Sequence, residues 1–142
     1  MSKIAVVYWS GTGNTEAMAN AVLGGAKAAG ADVEIFQVDE FNADDMEKYS
    51  GFAFGCPAMG DEVLEEDSFE PFFTDAEDKI KDVPVVLFGS YGWGGGTWMD
   101  NWAERTEKAG ARLLGKAIAE NAPDDDAIAE CEKLGKALAK EA

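Results

Sequence analysis

Residues 9–18 read WSGTGNTEAM, and six in a row, Ser10, Gly11, Thr12, Gly13, Asn14 and Thr15, are either glycine or carry a hydroxyl or amide. Gly11 and Gly13 let the backbone curl so that successive N–H groups can face one point, while the polar side chains add further donors. A phosphate fits such a cradle, above all where it opens a helix. The spacing is not GxxxxGK[ST], because the lysine that reaches the outer phosphates of a nucleoside triphosphate is absent. Nor is it GxGxxG, since Glu16 stands where the third glycine would be. A terminal monophosphate is the better match. An ordinary strand-to-helix turn with polar caps is the plainer alternative, but it accounts for one glycine and one threonine rather than six such residues together.

Two other segments are unusual. Residues 90–98, SYGWGGGTW, set Tyr91 and Trp93 among glycines, with Ser90 and Gly92 beside them. Aromatics without branched neighbours are expected near the surface, placed to stack on something flat; a surface loop or a partner-contact patch is the alternative. Residues 56–67, CPAMGDEVLEED, put Ala58, the soft side chain of Met59, and Gly60 ahead of Asp61 and Glu62. Residues 49–78 hold nine Asp or Glu and neither Lys nor Arg. A solvated acidic face explains the later members of that run. Carboxylates beside a bound ligand would disfavour additional negative charge on it.

Several chemistries are excluded by what is missing. The chain has no histidine, hence neither the commonest general base nor the commonest metal ligand. Cys56 and Cys131 stand far apart with no CxxC pattern, which argues against zinc or iron–sulfur ligation and for free thiols in a reducing cytoplasm. With 28 acidic and 12 basic residues the net charge is −16, so nucleic acid and anionic membranes would be repelled. Basic proteins are the natural partners, although such a surface also serves solubility. Residues 3–9 run directly into an apolar strand, and no apolar run reaches transmembrane length, so a cytoplasmic protein without signal peptide is expected.

The elements that position these segments follow from periodicity. At 142 residues and 46% apolar composition, one domain over 1–142 is expected. Short β-branched or aromatic runs at 4–9, 33–38, 52–56, 83–89 and, more weakly, 111–119 alternate with helical patterns near 15–29, 44–48, 68–78, 97–109 and 124–140. The first helix should bury Met18, Ala19, Val22, Leu23 and Ala26 and stop at Gly30. Strict alternation predicts a doubly wound, three-layer α/β/α sandwich around a five-stranded parallel sheet in the order 2-1-3-4-5. Ligands bind such sheets beyond the carboxyl ends of the strands at the switch point, where residues 10–15, 57–67 and 90–98 would meet.

The strings YWSGTGNTEAMA, GCPAMGDEVLEE, EPFF and LFGSYGWGGGTWM resemble, in order and separation, the flavin mononucleotide loops of the short-chain flavodoxins of anaerobic bacteria. The resemblance covers nearly the whole chain and implies a flavodoxin-like fold holding FMN. It implies that Ser10, Gly11, Thr12, Gly13, Asn14 and Thr15 cradle the phosphate and that Ser90 adds a hydroxyl. Met59 resembles the side chain on the inner face of the isoalloxazine ring, and Trp93 the stacked outer one, with Ala58 and Tyr91 in the same set. Gly60-Asp61 resembles a peptide that turns on reduction to aim the Gly60 carbonyl at flavin N5–H. Glu62 resembles the acceptor of N3–H, and the Gly92 amide a donor to the pyrimidine oxygens. Pro57 departs from relatives with serine there, and no insertion splits the last strand.

What this implies is a low-potential one-electron carrier that shuttles between semiquinone and hydroquinone in place of ferredoxin. Each uncompensated carboxylate about 10 Å from the anionic hydroquinone opposes the last electron by roughly 1.7 kcal/mol, or about 70 mV, at an effective dielectric of about 20. Expected partners are basic-patched proteins such as pyruvate oxidoreductase, ferredoxin-type reductase, hydrogenase or nitrogenase reductase, met by a monomer. The alternatives are an FMN-dependent NAD(P)H:quinone reductase, a receiver domain and a low-molecular-weight phosphatase. A receiver needs an aspartate where Gly55-Cys56-Pro57 stands, and the phosphatase needs an arginine where Glu62 stands.

Overall fold

A computed structural model describes residues 3–59, 63–92, 94 and 96–142; the expectations placed on Gly60, Asp61, Glu62 and Trp93 lie outside the described residues. The strands are β1 (Lys3–Tyr8), β2 (Asp32–Gln37), β3 (Gly51–Gly55), β4 (Pro84–Tyr91) and β5 (Arg112–Glu120). The helices are α1 (Asn14–Ala28), α2 (Phe69–Ala76), α3 (Thr97–Lys108) and α4 (Asp125–Glu141). All strand pairs are parallel and the order is β2-β1-β3-β4-β5, the arrangement expected from alternation.

Alternate residues of the strands face two separate apolar layers, as the period of two dictates. On one side Ala5, Val7, Phe52, Phe54, Val85 and Leu87 meet Phe69, Phe72 and Phe73 of α2 and Trp98, Met99 and Trp102 of α3. On the other Ile4, Val6, Ala53, Val86 and Phe88 meet Met18 and Val22 of α1 and Cys131, Leu134 and Leu138 of α4. The three central strands are covered on both faces and so read as unbroken apolar runs. The edge strand β5 is half open to solvent, which explains its weaker signal at 111–119.

Local differences from expectation have physical causes. The stretch expected as a helix at 44–48 is a 3-10 segment, Ala43–Lys48, started by the Asn42 side chain, which accepts from the Asp44 N–H at 2.9 Å. A single apolar anchor, Met46, is buried there, too little to support an α-helix. In α1, Thr15 and Gly25 are buried along with Met18, Ala19, Val22 and Ala26, while Leu23 is half-buried. The reason is the neighbour: a Cβ on Gly25 would stand 2.1 Å from the Glu132 carbonyl of α4, and one on Gly135 would stand 2.1 Å from the Val22 carbonyl. Gly30, at φ 90°, ends the helix as its C′ residue, with its N–H on the Lys27 carbonyl at 2.9 Å. Among the described residues, no helix is long and apolar enough to cross a membrane.

Candidate functional site

Parallel strands place all their exits at one edge of the sheet. Residues 9–13 after β1, 56–59 after β3 and the end of β4 therefore meet there. They are tied together directly. The Trp9 N–H donates to the Gly55 carbonyl at 3.0 Å, the Cys56 N–H to Phe88 at 3.1 Å and the Ala58 N–H to Ser90 at 3.0 Å. The Thr15 and Ser90 hydroxyls, both buried, are 3.2 Å apart.

The first loop turns through Gly13, which sits at φ 94° in the left-handed region and leads into α1. Ser10 Oγ accepts from the N–H groups of Gly13 at 3.1 Å and Glu16 at 3.2 Å, and so closes the loop. Among the described residues, the N–H groups of Gly11, Thr12, Asn14 and Thr15 have no protein acceptor. Four such donors at a helix N-terminus, near the Thr12, Asn14, Thr15 and Ser90 side chains, are disposed to accept an anion, with no lysine or arginine among the described residues that line the adjoining cavity.

A cavity of about 290 Å³ opens beside this loop. Gly11, Thr12 and Asn14 form one wall, Ala58 and Met59 another, and Ser90, Tyr91 and Gly92 a third. Of the expected site residues described, Ser10, Gly13 and Thr15 do not line the cavity; the Gly13 N–H is bonded to Ser10 Oγ within the loop, and the Thr15 hydroxyl to that of Ser90. Three further lining residues, Trp9, Pro57 and Asn121, were not among those expected. Asn121 stands at φ 57°, its N–H on the Tyr91 carbonyl at 2.7 Å, a left-handed position that asparagine tolerates. Larger surface clefts of about 850 and 700 Å³ are lined mostly by charged and polar side chains around α2 and α3 and around 39–44, and share no lining residue with this cavity.

Two expectations need correction here. Tyr91 is not held in a surface loop: it is the last residue of β4, half-buried, paired with Glu120 and with its ring centroid 5.5 Å from that of Trp98. Glu65 is not part of a solvated acidic face. It is 6% exposed, and its carboxylate accepts from the N–H groups of Asp67 at 2.9 Å, Ser68 at 2.9 Å and Phe69 at 2.8 Å.

Cys56 is fully buried, and burial pushes its thiol well above the ordinary range, so a phosphatase-type thiolate is disfavoured. Among the described residues, no group of three Cys, Asp or Glu is disposed to hold a metal ion.

The Flavodoxin family model matches residues 6–135. A flavodoxin of Megasphaera elsdenii is 53% identical over 137 residues, 96% of this chain and 98% of that one. A flavodoxin of Clostridium beijerinckii is 42% identical over 134 residues, 94% of this chain and 97% of that one. The solution structure of the two-electron reduced Megasphaera elsdenii flavodoxin superposes with a TM-score of 0.90 at 54% identity, covering 96% of this chain and 98% of that one. Likeness to an NAD(P)H dehydrogenase (quinone) of Bradyrhizobium sp. (strain ORS 278) is confined to 50 residues, 35% of this chain and 25% of that one.

Proposed function

Because this chain belongs to the flavodoxin family, whose members bind FMN and carry electrons rather than catalyse a reaction, we propose that it is a low-potential one-electron carrier. It acts as a cytoplasmic monomer with residues 1–142 as one FMN-binding domain. Bound FMN would supply the chemistry, taking one electron from a donor protein as it goes from semiquinone to hydroquinone and giving it to an acceptor protein on return, in place of ferredoxin.

The observation that carries the reading is the cation-free cradle: four N–H groups without an acceptor among the described residues, at the N-terminus of α1 beside buried hydroxyls. It suits the single terminal phosphate of FMN. Gly11, Thr12, Gly13, Asn14 and Thr15 hold that phosphate, Ser10 keeps the loop closed, and Ser90 and Thr15 supply hydroxyls. The absence of a Cβ at Gly92, where the nearest outside atom would be 3.7 Å away, leaves room for a flat ring system. Ala58, Met59, Tyr91 and Gly92 border that ring, joined by Trp9, Pro57 and Asn121. Gly60, Asp61, Glu62 and Trp93 are assigned to the ring on their resemblance to the family. Among the described residues no lysine or arginine lines the cavity, so no cationic side chain offsets the negative charge of the phosphate, which opposes the second electron.

The acidic rim suits brief docking to basic-patched redox proteins, of which pyruvate oxidoreductase, ferredoxin-type reductase, hydrogenase and nitrogenase reductase are the proposed set. The test is a visible spectrum followed through stepwise reduction. A yellow protein that passes through a long-wavelength blue form supports the reading, and a colourless preparation that takes up no FMN ends it. Steady NAD(P)H oxidation by the purified protein alone would favour the NAD(P)H:quinone reductase instead.

A further inference from the structure

The segment that forms the Met59 wall of the cavity is held by a residue that does not itself line it. We propose that Glu65 is a positioning residue for FMN binding, an inference that rests on the FMN reading above. Its carboxylate and backbone tie Cys56 to the start of α2 and so set where Ala58 and Met59 stand.

The loop leaves β3 at Cys56 and must return to α2 at Phe69. Its interior is pinned by a reciprocal pair, Met59 N–H to the Val63 carbonyl at 2.9 Å and Val63 N–H to the Met59 carbonyl at 3.1 Å. That pair ties Met59 to Val63 but does not fix their place on the protein. The place is fixed at the two ends. At the entry, the Cys56 carbonyl accepts from Trp98 Nε1 at 3.2 Å. At the exit, the Glu65 N–H donates to Cys56 Sγ at 3.3 Å, so the exit is bonded to the entry.

Glu65 is in turn anchored to α2. Besides the three N–H groups of residues 67–69 on its carboxylate, its carbonyl accepts from the Glu70 N–H at 2.8 Å. Ser68, the N-cap residue, offers no side-chain cap, so the carboxylate of Glu65 does that work from three residues back. Helix α2 is itself fixed by the burial of Phe69, Phe72, Phe73 and Ala76. When the carboxylate contact is lost, the loop rather than the helix is therefore free to shift. Aspartate, one methylene shorter, keeps the charge but not the reach, which separates position from field.

The experiment titrates FMN into apoprotein and follows the quenching of flavin fluorescence, for the wild type, Glu65→Asp and Glu65→Gln. Glu65→Asp is expected to weaken FMN binding about tenfold, and Glu65→Gln by a comparable factor. Hydrogen exchange at 57–69 of both apoproteins is expected to quicken. Unchanged affinity in Glu65→Asp overturns the inference: with a loss in Glu65→Gln only charge would matter, and without one the carboxylate would not matter to FMN at all.

A second pair guards against a purely structural effect. Adding Ser68→Asp to Glu65→Ala supplies a new N-cap and is expected to restore the melting temperature of the apoprotein without restoring FMN affinity. Recovery of both overturns the inference, since helix capping would then be the whole role. Wild-type apoprotein that fails to quench FMN sinks the FMN reading and this inference together, whereas normal wild-type binding with a silent Glu65→Asp sinks this inference alone.

Discussion

The Thr15 and Ser90 hydroxyls, from α1 and β4, lie 3.2 Å apart and buried, at the seam between the anion loop and the cavity. Replacing Thr15 by valine keeps the volume and removes the donor. A lost hydrogen bond to a charged group costs about 1.5 kcal/mol or more, so Thr15→Val should weaken FMN about tenfold in a fluorescence titration. An unchanged dissociation constant would place that hydroxyl out of the phosphate's reach. The loop could be read from sequence because its signal is local: glycines and hydroxyls in one short run, ahead of a helix. Asn121 and Glu65 could not be read that way. Asn121 reaches the cavity because β5 runs beside β4 as far as Glu120, and Glu65 is one acid among many until its three N–H partners are seen.

At the level of elements, α1 and α4 touch backbone to backbone through Gly25 and Gly135. Alanine normally favours a helix over glycine by about 1 kcal/mol. At Gly135 the added methyl would press on the Val22 carbonyl, and the expected net result is a loss on the order of 2–3 kcal/mol in urea unfolding of the apoprotein. A gain in stability would show that the helices can separate freely. On the opposite face Arg105 of α3 grips Glu70 with both nitrogens, at 2.8 and 2.7 Å, and Glu77 at 2.7 Å. Hydrogen bonds from Arg105 hold the Glu70 carboxyl below its ordinary range. A lowered folded-state value stabilises above the unfolded value of about 4.3 and is lost as pH falls through the folded value. Arg105→Met should therefore cost about 1 kcal/mol near pH 7, after discounting for partial exposure, and the deficit should shrink toward pH 3. A deficit independent of pH would assign the loss to packing over the Phe73 ring, whose centroid lies 4.9 Å from the guanidinium carbon. The alternation of these elements was legible because central strands and amphipathic helices have distinct periods; the 3-10 segment Ala43–Lys48 was not, because six residues with one buried apolar anchor fit either helix type.

On the scale of the whole molecule, a net charge of −16 makes association with a basic partner sensitive to salt. The screening length falls from about 30 Å at 0.01 M to about 10 Å at 0.1 M, so stopped-flow electron transfer from the reduced protein to a basic cytochrome should slow severalfold over that range. A rate that rises with salt would mean that this surface is not what meets the acceptor. The charge is also unevenly laid along the parallel strands. Lys3 and Arg112 open β1 and β5, Lys81 precedes β4, and Lys108 closes α3, all at the amino edge of the sheet, where they offset Asp32, Asp82 and Glu141, whereas Glu65, Glu66, Asp67, Glu120 and residues 124–126 gather at the carboxyl edge. A sheet whose strands all point one way thus gives the protein an electric moment along the strand axis. In the field of an approaching cationic surface that moment exerts a torque, turning a molecule that arrives backwards until its carboxyl edge, the side proposed to hold the flavin, leads, so that fewer encounters are spent on the wrong face.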